Sequence, residues 1–135
     1  MRLRRTVLFL AAASMAAASP LPAQTWRSLT SARQRHGETA LTVHVNYGAG
    51  EFRLGVAPEG TLYRMELRYD EDRFTPVRDY DAEAARLTLG IRGRGGSVQL
   101  GDRRSGEPVP SLDLELAPDI PLVLDLELGA VKSRV

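Results

Sequence analysis

The chain has no cysteine in its 135 residues. Disulfide bracing is therefore excluded, even in an oxidising compartment. A lipid-anchored lipoprotein is excluded too, because no cysteine follows the apolar N-terminal segment. Histidine is scarce: His36 and His44 are the pair. Zinc takes three or four converging ligands, and nothing supplies them here at a recognisable spacing, so no metal-ligating residue is assigned. A serine triad needs a histidine and a carboxylate around a positioned serine, and Gly-x-Ser-x-Gly is absent. No residue set reads as catalytic, and none as cofactor-binding. Gly48-Ala49-Gly50 opens a G-x-G-x-x-G pattern, but Arg53 takes the third glycine position. A strand pattern follows it, whereas phosphate cradling needs a helix N-terminus. Long apolar runs are missing as well. Thr6 to Ala18 falls short of the roughly 20 residues that span a bilayer.

What is present begins with a tripartite N-terminus. Arg2, Arg4 and Arg5 precede the alanine-rich apolar stretch, and Ser19-Pro20-Leu21-Pro22-Ala23 ends it. A positive start, a short apolar core and a small-residue site are what a secretory signal needs. An uncleaved anchor is the alternative, disfavoured because the prolines break the run early. Cleavage is expected after Ala23, with Ala18 as second choice, so residues 1–23 are the signal peptide and Gln24 starts the mature chain. That chain has 112 residues, about one domain's worth. It keeps 15 basic against 17 acidic residues, a balance of −2. The sequence pI of about 8.2 therefore carries no message about nucleic acid. The expected location is periplasmic or extracellular.

Residues 24–38 are polar and read as a linker or mobile arm, with Trp26 as an anchor or a remnant of it. From residue 39 the period is two. Leu41, Val43, Val45 and Tyr47 alternate with polar residues, Gly48-Ala49-Gly50 reads as a turn, and Phe52, Leu54 and Val56 continue as the second arm of a hairpin. Tyr63, Met65, Leu67 and Tyr69 form another apolar row, as do Leu87, Leu89 and Ile91. Pro76 cannot donate to a ladder and belongs at a sheet edge. Ser97 to Leu100 reads as a short return strand. Ser111–Leu116 and Leu122–Leu128 each contain Leu-Asp-Leu-Glu-Leu. No segment after residue 38 keeps a convincing helical period, so the expected class is all-β. Residues 39–110 form the main module. Residues 111–135 read as an incomplete second unit, poorly ordered or self-associating, because a lone hairpin covers little apolar surface and its last strand is an open edge. One longer echo stands out. Val43 to Leu54 and Leu124 to Val135 align at a spacing of 81 residues, with Gly48-Ala49 over Gly129-Ala130 and Arg53 over Arg134.

The charged residues give candidates with modest claims. Asp70-Glu71-Asp72 and Asp79-x-Asp81-x-Glu83 are the best calcium candidates, since hard cations take several oxygens. Both lack the glycine and terminal glutamate of an EF-hand loop, and acidic turns are usually just solvated. Asp113, Glu115, Asp125 and Glu127 would be like charges on a wet face if their strands paired, unless arginines crossed them. Arg92, Arg94, Arg103 and Arg104 cluster in two loops and suit an anionic envelope polymer or headgroup, or simply a solubilising loop.

Four stretches carry a family likeness: Tyr47-Gly48-Ala49-Gly50-Glu51-Phe52; Tyr69-Asp70 with Phe74, Pro76-Val77 and Tyr80; Leu87-Thr88-Leu89-Gly90-Ile91; and Leu114 through Ala130. Over residues 38 to 135 the chain resembles the toast-rack domain family, which includes the C-terminal domains of cell-wall-active antibiotic response proteins and a group of bacterial adhesins. The resemblance implies a β-rich N-terminal module of sandwich-like hairpins leading into strands stacked as in a β-solenoid. It implies a non-enzymatic role at the bacterial envelope, in stress sensing or adhesion, without cofactor. The expected partner is an envelope protein or an anionic envelope polymer, not nucleic acid, with self-association through the C-terminal strands as a further possibility. Antibiotic-response members usually carry transmembrane helices ahead of the domain, where this chain has a signal peptide. The second reading is a small closed β-barrel that carries an apolar ligand, which needs roughly eight strands around a cavity.

Overall fold

The computed structural model describes residues 25–95, 106 and 108–135. The signal peptide, the Ser97–Leu100 strand and the pair Arg103 and Arg104 lie outside the described residues. Seven strands follow in order: β1 Trp26–Gln34, β2 Leu41–Val56, β3 Thr61–Asp70, β4 Phe74–Asp81, β5 Arg86–Gly93, β6 Ser111–Leu116 and β7 Leu122–Arg134. The described residues contain no helix, as the two-residue alternation requires. The chain is all-β.

One sheet holds all seven strands in the order β1-β3-β6-β2-β5-β4, with β7 on the other side of β2. The sheet turns a corner along β2. Thr42 to Tyr47 pair in parallel with Arg86 to Ile91 of β5, whereas Glu51 to Val56 pair in parallel with Ser111 to Leu116 of β6. The expected Gly48-Ala49-Gly50 hairpin is therefore not a reversal: the chain runs straight on as β2. Gly50 has φ 123°, and a Cβ there would stand 2.1 Å from the Pro110 carbonyl oxygen. Glycine bends the strand against Pro110. The inward parity shifts at the same place, from Tyr47 and Ala49 to Phe52, and the Tyr47 and Phe52 rings meet with centroids 6.5 Å apart.

Inward rows from both arms of the bent sheet form one core. Val43, Val45, Leu67, Leu87, Leu89 and Leu112 are all wholly buried. Two organisational expectations change. Residues 26–34 form β1, paired antiparallel with β3 from Trp26↔Asp70 onward, where a linker was expected. Its half-buried Leu29, opposite Leu67, gives it an inner face that the many polar residues of the segment mask. Residues 111–116 sit between β3 and β2, in the middle of the sheet, and bury Leu112, Leu114 and Leu116 there. Pro76 lies on β4, a sheet edge, as its missing N–H demands. The described strands form an open sheet: β1 and β4 end the strand path without pairing to each other, and side chains fill the space between its arms.

The 81-residue echo is a register. β7 pairs in parallel with β2 as Leu41↔Leu122, Val43↔Leu124, Tyr47↔Leu128, Ala49↔Ala130 and Arg53↔Arg134. The repeated motif thus folds as two stacked rungs that share the same corner.

Candidate functional site

β1 and β4 approach each other at the mouth of the bent sheet, each presenting polar residues inward. On β1, Ser31 lies opposite Met65 and Arg33 opposite Tyr63. On β4, Arg78 lies opposite Leu89 and Tyr80 opposite Leu87. These registers put Ser31, Arg33, Tyr63, Arg78 and Tyr80 on the core-side face, where apolar residues end. They line a polar cleft of about 320 Å³, completed by Ala32 and Asp79.

Contacts across the cleft are specific. The Arg78 guanidinium donates to Ser31 Oγ at 3.1 Å, and the Ser31 and Tyr63 hydroxyls are 3.3 Å apart. The Tyr63 and Tyr80 rings lie 6.1 Å apart, and the Arg33 guanidinium sits 4.4 Å from the Tyr80 ring centre. Tyr80 donates its phenolic hydrogen to Glu38 Oε1 at 3.1 Å, and the His36 amide donates to Glu38 Oε2 at 2.6 Å. Burial alone would raise the Glu38 pKa, but the His36 and Glu38 amides, the Tyr80 hydroxyl and the Arg33 charge together hold it below the usual carboxylate range. Burial, and then the hydrogen bond to Glu38, raise Tyr80 above the ordinary phenol value.

Charge in the cleft is unevenly answered. Arg33 Nε stands 3.7 Å from Glu38 Oε1, too far for a hydrogen bond. Arg78 makes no ion pair among the described residues. A fork of guanidinium donors beside two phenols is chemistry suited to a carboxylate, sulfate or phosphate on a polyhydroxylated carrier.

The residues singled out from sequence go elsewhere. His36 lies in the exposed turn after β1, and His44 on the outer face, with Nδ1 3.0 Å from Asp125 Oδ2. The acidic turns serve the backbone: Asp70 accepts from the Asp72 amide, Asp81 accepts from Glu83 and Ala84, and Glu71 pairs with Arg27 at 2.7 Å. The acidic row is divided, because β6 and β7 flank β2 rather than each other. Asp113 takes Arg53 at 3.2 Å, and Glu127 accepts from Asn46 at 2.6 Å. Trp26, on β1, sits against Arg68 of β3. Arg94 donates to Thr75 at 3.0 Å, and Arg92 joins His44, Asn46 and Thr88 around a second cleft of about 460 Å³. The β1–β4 cleft was missed because its residues form no motif. The one available signal was period-two spacing of Leu29, Ser31 and Arg33 in a segment read as linker.

Comparison with known proteins agrees with this architecture. Among curated proteins none matches the chain. Its fold is similar to the crystal structure of a "putative cell adhesion protein from Clostridium sporogenes ATCC 15579", with a TM-score of 0.61 at 19% identity over 81% of this chain. The match spans 51% of that protein, so the chain corresponds to about half its length. The family profile for the N-terminal domain of toast_rack, DUF2154, matches residues 23–135. A bent all-β sheet with a stacked last rung, matched in this way over nearly the whole described chain, belongs to the toast-rack N-terminal domain family.

Proposed function

We propose that this chain is an exported, non-catalytic binding module of the bacterial envelope that holds an anionic envelope polymer in the β1–β4 cleft. The observation that carries the reading is the Arg78 guanidinium on the core-side face, bonded among the described residues to Ser31 and open to a ligand beside Arg33 and two tyrosines. Arg33 and Arg78 stand with Asp79 in the cleft wall and Glu38 beside it, so the preference for an anionic group rests on Arg78, which makes no ion pair among the described residues. Family membership and the fold shared with the clostridial protein support an adhesion-like role at the cell surface. Export rests on the arginine, apolar and small-residue segments before Gln24. No helix among the described residues is long and apolar enough to cross a membrane.

The test uses exported protein on immobilised polygalacturonate, with uncharged dextran as control. Retention on the polyuronate, weakened by salt and lost in Arg33→Gln and Arg78→Gln, is the expected result. Equal retention on dextran, or retention unchanged by both substitutions, would overturn the reading. N-terminal sequencing of the same material is expected to give Gln24.

A further inference from the structure

Among the described strands the sheet has three edges, and they are guarded unequally. β1 and β4 each turn an arginine inward, Arg33 and Arg78, and β4 also carries Pro76. Inward charges and proline deter strand addition. β7 has neither. Its inward row, Leu122, Leu124, Leu126, Leu128 and Val131, is apolar, yet it is only half covered, with Leu124 40% exposed.

The outward row of β7 is polar in both senses of the word. Asp125 and Glu127 precede the Gly129-Ala130 corner, and Lys132 and Arg134 follow it. Lys132 and Arg134 make no ion pair among the described residues, and Arg134 lies beside Arg53, a like charge. The spacing is palindromic about the corner. In an antiparallel pair of two β7 strands centred between Gly129 and Ala130, Asp125 faces the second copy's Arg134 and Glu127 faces the second copy's Lys132. Residues directly opposite in an antiparallel pair share a face. Leu128 then meets the second copy's Val131 on the inner face, and the two bends coincide at the dyad. A parallel in-register copy would instead set Asp125 on Asp125 and Arg134 on Arg134, which is unfavourable.

From this charge complementarity and the uncovered inner row, we propose that β7 is a self-association edge. Two copies join antiparallel through it, about a two-fold axis at the Gly129-Ala130 corner, into one continuous sheet. The arrangement is closed and isologous, so it stops at a dimer. It is independent of the ligand cleft, which lies at the β1–β4 mouth.

Sedimentation of the exported, unaltered chain tests the association. Cysteine pairs test the register, and the chain's lack of native cysteine keeps the background clean. In the two-fold register, Glu127→Cys combined with Lys132→Cys places thiols opposite each other, while Glu127→Cys alone leaves the two thiols about 16 Å apart. The expected results are a concentration-dependent dimer, a covalent dimer from the double variant under mild oxidation, and none from the single one. Crosslinking of the single variant would show parallel stacking and overturn the register. A sedimenting monomer at high micromolar concentration would overturn the proposal, whether or not the cysteine variants fold.

Discussion

Gly48 and Gly90 both line the β5–β2 junction and have opposite tolerances. Gly90 has φ 152°, and a Cβ there would lie 1.9 Å from the Asn46 carbonyl oxygen on the paired strand. Gly48 has open space around its Cβ position. Gly90→Ala is expected to cost about 2–4 kcal/mol in urea unfolding, and Gly48→Ala no more than about 0.5 kcal/mol. At Glu38 and Tyr80, pKa directions become a pH window. Glu38, lowered on folding, stabilises fully above the ordinary carboxylate pKa and stops doing so as pH falls through its depressed value. Tyr80, raised on folding, stabilises fully below the ordinary phenol pKa and stops doing so as pH rises through its elevated value. The stability gap between wild type and Glu38→Gln should therefore close in acid, and the gap to Tyr80→Phe should close in alkali. Gaps that are flat with pH in denaturation curves would show that neither group is coupled to the fold.

Among the elements, β6 and β7 repeat the same Leu-Asp-Leu-Glu-Leu pentad, and the fold treats the two copies differently. Among the described strands β6 has a neighbour on each side, and Leu112 is fully buried; β7 pairs with β2, and Leu124 is 40% exposed. Leu112→Ala is expected to cost about 2–5 kcal/mol and Leu124→Ala about 1 kcal/mol, read from unfolding midpoints. Strand identity was legible because apolar alternation survives in every strand that buries a row, from Leu41-Val43-Val45 to Leu112-Leu114-Leu116. The pairing of β7 with β2 was legible as well, as a repeat, although its meaning as a register was not. Three features escaped. β1 has one half-buried leucine among polar residues, and so lacks contrast. A bend and a turn use the same Gly-Ala-Gly chemistry, and only Pro110, 60 residues after Gly50, decides between them. The cleft residues Ser31 and Arg33 lie on β1, while Arg78 and Tyr80 lie on β4, so no local spacing brings them together.

At the scale of the molecule, the described strands of one bent sheet present two kinds of surface: a polar mouth between β1 and β4, and an apolar, partly exposed rung at β7. Inward arginines at the mouth have two possible roles, guarding the edges or holding a ligand. The contacts favour the ligand role for Arg78, whose guanidinium has one partner among the described residues, and that one neutral. Losing that partner leaves Ser31 still bonded to Tyr63, so the fold should scarcely notice. The most direct measurement is therefore made twice on one variant, Arg78→Gln: its urea midpoint, and its affinity for polygalacturonate by calorimetry at low salt. An affinity reduced about tenfold, with stability within about 0.5 kcal/mol of wild type, is the expected outcome. A lowered midpoint with unchanged affinity would contradict the account, because Arg78 would then hold the sheet together and bind nothing.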